Sequence, residues 1–235
     1  MLASLKTACI PYKIGGLSDL PIHLYQNVTN MNQFDSFLPP QMAERAAEVG
    51  VAKATKDPFK SFLLAITAGI HIGIAFIFYT TVTTGAESMP WGMSHFIGGL
   101  AFSLGLILVV VTGGELFTSS VLTLVARASG KISWKSLCAN WAVVYVGNFI
   151  GAMLLVGIML VAKQYMNDGG AVGINTMKIA QHKMHHGFWQ AVALGLMCNV
   201  LVCVGVWMTF SGRTLTDKIL VIILPVAMFV SAGFE

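Results

Sequence analysis

The sequence predicts an all-α integral membrane protein, a helical bundle carrying an internal repeat, and three observations predict it. Hydrophobic residues make up 56% of the 235 residues and charged residues only 10%, with a mean hydropathy of +0.75, whereas a soluble domain carries about 25% charge. Five long stretches hold no charge or a single one. The first two of these stretches recur faintly as the last two. The same composition excludes disorder, which needs abundant charge and few large apolar side chains. The net charge of +4 is spread over the connections, which leaves no nucleic-acid patch.

Before the first span, QMAERAAEVGVAKATKD reads as an amphipathic helix lying along the membrane surface or under the bundle. Residues 1–30 lack the apolar core of a signal peptide. Segment one, 61–81, is SFLLAITAGIHIGIAFIFYTT, long enough to cross about 30 Å of hydrocarbon. Segment two, 88–126, holds only Glu115 as a charge. As one straight helix it would run nearly 60 Å, about twice the membrane core. Gly113 and Gly114 beside the acid supply a break, since each glycine weakens a helix by about 1 kcal/mol. Two half-helices meeting at an internal loop over 113–118 are therefore expected. Segments three (136–162), four (187–212) and five (219–234) are uncharged. Pro225 and Gly233 mark the fifth as a second broken helix.

The repeat rests on Val111-Thr112-Gly113-Gly114 before Glu115 and Val230-Ser231-Ala232-Gly233 before Glu235. It rests also on LAITAGIHIGIAF over VALGLMCNVLVCV, in which His71 meets Asn199. Three spans per copy force the second copy to be inverted. Eleven Lys/Arg flank the spans on the N-terminal side; Lys163, Lys178 and Lys183 lie on the other. The positive-inside bias makes the N-terminus cytoplasmic.

An ionisable group at bilayer depth costs about 2.5–3.5 kcal/mol, so Glu115 calls for a role. It reads either as a structural carboxylate held by free N–H groups of the break or as a pore residue. Thr118 either offers its hydroxyl to a substrate or bonds back to its own helix. His71 and Asn199 read first as interhelical hydrogen bonds. In QHKMHH, His182, His185 and His186 suggest metal ligands, and with them an integral-membrane metalloenzyme, yet a solvated outer loop suits them better because no carboxylate or cysteine accompanies them at ligand spacing. Cys9, Cys138, Cys198 and Cys203 form no CxxC pair and read as buried small hydrophobes.

Several long motifs resemble the formate/nitrite transporter family: LPPQMAERAAEVGVAKATKDP, SLGLILVVVTGGELFTSS, HKMHH, SGRTLTDK and LPVAMFVSAGFE. The resemblance runs from about Met31 to Glu235. It divides the chain into an atypical extension (1–30), a cytoplasmic helix region (31–60) and a channel domain (61–235). It implies an aquaporin-like fold of inverted repeats with broken second and fifth helices, assembled as a homopentamer in the bacterial inner membrane. It implies a pore for formate, nitrite or hydrosulfide, in some members with a proton, and neither catalytic residues, metal nor cofactor. Carried over by position, Leu116, Phe117 and Thr118 belong to the loop of the broken helix. Leu106, Phe117 and Val202 match one narrow apolar ring; Phe102 and Phe229 match the other. Lys183 and Asn199 match polar positions linked to anion attraction, and Glu115 stands where the family often has Asp. Glu115 and Glu235 are the buried acids near the pore. In the family GFE is followed by a central pore His, so the working protein is expected to continue past Glu235 with that His and a sixth span.

Overall fold

A computed structural model describes residues 36–234; the readings of 1–30 and of Glu235 lie outside the described residues. Helix α1 (Pro39–Ala54) forms within the stretch expected to be an amphipathic helix. Its small residues Ala46, Ala47 and Gly50 are buried, and Gly50 lies against Ala126. Among the described residues four helices are long and apolar enough to cross a membrane: α2 (Pro58–Thr83), α3 (Trp91–Thr112), α6 (Trp134–Val161) and α8 (Phe188–Thr209). Between α3 and α6 stand two short pieces, α4 (Phe117–Ser120) and α5 (Thr123–Ala128). Helix α7 (Ala171–Met184) precedes α8, and α9 (Leu215–Ser231) follows it.

Local chemistry sets the starts. Asp57 accepts the Lys60 N–H at 2.9 Å ahead of Pro58. Ser133 does the same for Ser136 at 3.1 Å. Thr214 and Asp217 exchange bonds of 3.1 and 2.9 Å in a capping box. Helices α2 and α6 run parallel in close apposition, with Gly69 against the Asn148 carbonyl and Gly151 against that of Ile66. A methyl group at either glycine would collide with backbone, so the approach depends on their bare Cα atoms.

Helices α3 and α9 pack antiparallel. The Ser103 hydroxyl donates to the Ile223 carbonyl at 3.1 Å, and the Ser231 hydroxyl to that of His95 at 3.1 Å. Gly99, between these pairs, meets Ala227. Both helices end in the same cap. Gly113 (φ 77°) and Gly233 (φ 72°) are left-handed, and the next N–H reaches back to Val109 in one case and Phe229 in the other, each at 2.9 Å. The equivalence is therefore Gly113 with Gly233, one residue away from the sequence alignment, because the cap needs glycine at the left-handed position.

Four sequence expectations change. The break is not central: α3 alone has 22 residues, about 33 Å at the helical rise, and the remainder is short. The loop covers 113–116, because Phe117 and Thr118 already belong to α4. The HKM of QHKMHH lies on α7, not in a loop. Cys138, expected inside, is exposed.

Candidate functional site

The break in α3 is built by groups far away in sequence. The Glu115 N–H donates to the Leu64 carbonyl of α2 at 3.1 Å. From α6, the Asn148 amide nitrogen donates to the carbonyls of Ala65 and Glu115, both at 2.8 Å. Its oxygen accepts the Phe117 N–H at 2.8 Å. Trp141 Nε1 donates to the Ser120 carbonyl at 3.0 Å. Backbone groups without helical partners are thus satisfied by protein, as non-helical backbone at membrane depth requires.

Glu115 is 1% exposed. Its carboxylate meets Lys53 Nζ at 2.7 Å, from the last turn of α1, and Lys56 Nζ at 2.5 Å, from the bend just after that helix. The expected capping by N–H groups of the broken helix does not occur, because two lysines at the C-terminal end of α1 and in the bend after it hold the acid instead. Leu64 lies only six positions into α2, so the break sits within reach of α1. The clamp holds α1 to the loop.

Two cavities flank an apolar constriction. One, of about 680 Å³, is lined by the N-terminal end of α3 (Trp91, His95, Phe102), by α7 and by the end of α9. Lys178, His182, Lys183 and His186 give it a basic wall. The other, of about 750 Å³, is lined by the C-terminal end of α3 (Val109, Gly113) and by a mixed charged wall in which Arg45, Lys53, Lys56, Arg213 and Lys218 outnumber Glu44, Glu48 and Glu115. Along α8 the first cavity reaches Cys198 and the second begins at Val206. Between them lie Leu106 (3% exposed), Val202 (5%), Ile222 and Val226, packed with Leu116 and Phe229. The dry stretch from Phe102 to Val109 is about 10 Å long.

Leu106, Leu116, Val202 and Phe229 are thus brought together, with Phe102 edge-on to Phe229 at 6.1 Å between centroids. Phe117 is not in that group: its ring turns to Tyr145 (5.4 Å) and Trp141 (6.2 Å) on α6. The Asn199 amide donates to the Thr118 carbonyl at 3.1 Å, and Cys203 Sγ approaches the same oxygen at 3.5 Å. Ser119 and Thr123 bond back to their own backbone. The Thr118 hydroxyl does not, and it has no partner among the described residues. Asn199 therefore makes the expected interhelical bond, to the broken helix. His71 does not: its Nδ1 is buried without a partner among the described residues.

Sequence reading missed Lys53, Lys56, Asn148 and Trp141. For the lysines a signal existed, two cations at i and i+3 at the end of an amphipathic stretch. Asn148 is an amide inside an uncharged span, a rare event that implies a buried partner without naming it.

Comparison with known proteins adds the following. A model of the family described as formate/nitrite transporter matches residues 40–235. The formate channel FocA of Escherichia coli (strain K12) is 55% identical over 204 residues, 87% of this chain and 72% of that protein. FocA of Haemophilus influenzae is 46% identical over 197 residues, 84% of this chain and 69% of that protein. A solved pentameric formate channel with formate bound superposes with a TM-score of 0.73 at 71% identity, covering 76% of this chain and 70% of that one. A second solved structure, an FNT family ion channel, shares the fold with a TM-score of 0.70 at 22% identity, covering 83% and 76%.

Proposed function

This chain belongs to the formate/nitrite transporter family, and from that premise we propose that it conducts formate and related small monovalent anions, nitrite and hydrosulfide among them. It does so in the bacterial inner membrane, as a homopentamer with one pore per subunit, without a catalytic step or cofactor. The observation that carries the reading is the alignment of two cavities on either side of a dry constriction along α3, α8 and α9.

Formate is ionised at neutral pH much as an Asp side chain is, with a pKa near 3.9. Carrying a bare carboxylate through hydrocarbon costs of order 20 kcal/mol. The excess of basic over acidic side chains in both walls raises the local anion concentration; Lys183 acts in the first cavity and the two clamp lysines in the second. Leu106, Leu116 and Val202 form one narrowing and Phe102 with Phe229 the other, excluding larger or more hydrated ions. Thr118 offers its hydroxyl beside the constriction, held in place by Asn199. Phe117 supports the loop from the α6 side. Glu115 positions the loop through its lysines, and Glu235 is the corresponding acid of the second broken helix. Residues 31–60 form the cytoplasmic region and 61–235 the channel.

The test is formate uptake by liposomes containing the purified protein. Uptake that exceeds protein-free vesicles and is competed by nitrite is expected; uptake equal to the empty vesicles overturns the proposal.

A further inference from the structure

The connection between α5 and α6 carries a cluster that the pore does not use. Arg127, Lys131 and Lys135 lie within nine residues, and no Asp or Glu occurs between Glu115 and Asp168. None of the three cations has a carboxylate within ion-pairing distance among the described residues. The segment is pinned, since Ile132 is buried against Ala126 and Leu137 with Val51 and Ala54 around them. That anchor leaves Lys131, Trp134 and Lys135 exposed on either side of it. The Arg127 guanidinium lies 5.0 Å over the Trp134 ring, a cation–π contact that orients it. Its Nε is shielded from solvent and lacks an acceptor among the described residues. A buried donor without an acceptor costs about 1–3 kcal/mol, which the stacking of the guanidinium on the Trp134 ring offsets.

We propose that Arg127, Lys131, Trp134 and Lys135 bind the phosphodiester of an anionic phospholipid. Trp134 opens the membrane-spanning helix α6, the level at which indole rings settle among headgroups. There the oriented guanidinium faces phosphate oxygens and the two lysines supply the surrounding positive field. A guanidinium suits phosphate because its donors form a planar fork. The proposal needs only that the chain spans a membrane, so it stands or falls apart from the choice of transported anion.

Lipid retention read by native mass spectrometry tests it. The purified protein is equilibrated in mixed micelles with equal phosphatidylglycerol and phosphatidylcholine, with and without inorganic phosphate. Each cation near an anionic surface contributes about a five-fold factor in affinity at modest ionic strength. Preferential retention of phosphatidylglycerol by the wild type is expected, with a roughly hundredfold loss in the triple variant R127Q/K131Q/K135Q. R127Q alone is expected to lose more than K131Q alone, and K163Q, at the far end of α6, to lose nothing. Equal retention by wild type and triple variant, or an equal loss in K163Q, overturns the proposal. Displacement of the lipid by millimolar inorganic phosphate makes the site one for free phosphate and overturns it as well. Thermal stability of each variant in the same micelles shows whether a loss reflects unfolding, and R127K, which keeps the charge but not the fork, is expected to fall between wild type and R127Q.

Discussion

Asn148 holds Glu115 from the backbone side: its amide nitrogen donates to the Glu115 carbonyl at 2.8 Å while its oxygen takes the Phe117 N–H two residues on. One side chain of α6 thereby replaces helical bonds lost where α3 breaks. Replacing Asn148 by Leu leaves two backbone groups at the break, the Glu115 carbonyl and the Phe117 N–H, without their partner, at about 1–3 kcal/mol each. We expect N148L to lower the melting temperature of the purified protein and to reduce formate uptake. N148D, which keeps the acceptor for Phe117, is expected to lose less. Wild-type melting of N148L would show the bonds to be dispensable.

The two lysines on Glu115 are expected to act as a unit. Leaving a buried charge without its partner costs about 3–5 kcal/mol. The double variant K53M/K56M, which strands the buried Glu115 carboxylate, is therefore the most damaging change. E115Q releases two lysines that already reach solvent and costs less. K53M leaves Lys56 on the acid, and K56M leaves Lys53; each is expected to be mild, and the double variant more than additive. A double-mutant cycle of unfolding free energies measures this, and simple additivity would refute it.

Leu106 sits where the two cavities are closest along α3. Leu→Ala in a packed core costs about 2–5 kcal/mol and leaves a hole where the neighbours do not collapse. L106A is expected to melt earlier and yet to pass anions larger than formate, such as propionate, faster than the wild type does. An unchanged ratio of propionate to formate flux would place the selective narrowing elsewhere.

Much of this architecture was legible in the chain. Charge-free runs located the spans, and Gly113-Gly114 beside an acid located the break. Helix α7 was hidden, because 171–184 mixes apolar and polar residues between lysines and fits no span template. The constriction residues were placed by family resemblance, since Leu106 and Val202 look like any other apolar residue in a span. The supports were out of sight for another reason: Lys53 and Lys56 act 62 and 59 residues away from their acid, and nothing local in either segment names the other.

Lys183 belongs to the basic wall of the first cavity. If it works by long-range attraction, K183A reduces formate flux strongly at low ionic strength and weakly at high, since mobile ions screen fields beyond about 8–10 Å. Flux measured from low to high salt checks this, and a deficit of constant size would assign Lys183 a structural role.

At the rim, Lys178 donates to Glu87 at 2.9 Å, linking α7 to the short connection between α2 and α3. That hydrogen bond and the lysine charge hold the Glu87 carboxyl below its ordinary value of 4.5. A lowered carboxyl pKa means that the link contributes at and above the ordinary carboxylate range and fades as pH falls through the lowered value. Backbone hydrogen exchange over 85–89 is therefore expected to be slower in wild type than in E87Q at pH 7, and the difference to vanish in strong acid. High salt at pH 7 should shrink it too, because both side chains are exposed. A difference that persists in acid would rule out the ion pair as its source.

The clamp on Glu115 also orders events in time. Chains grow from the N-terminus, so Lys53 and Lys56 leave the ribosome before the acid they will hold. By the time the second hydrophobic segment is delivered to the bilayer, both counter-charges stand ready at the end of α1. The carboxylate therefore does not have to enter lipid unmatched, a state that costs about 2.5–3.5 kcal/mol at full depth. The sequence order of α1 and α3 is in this sense an instruction for biogenesis: the receptor for a difficult residue is synthesised ahead of it.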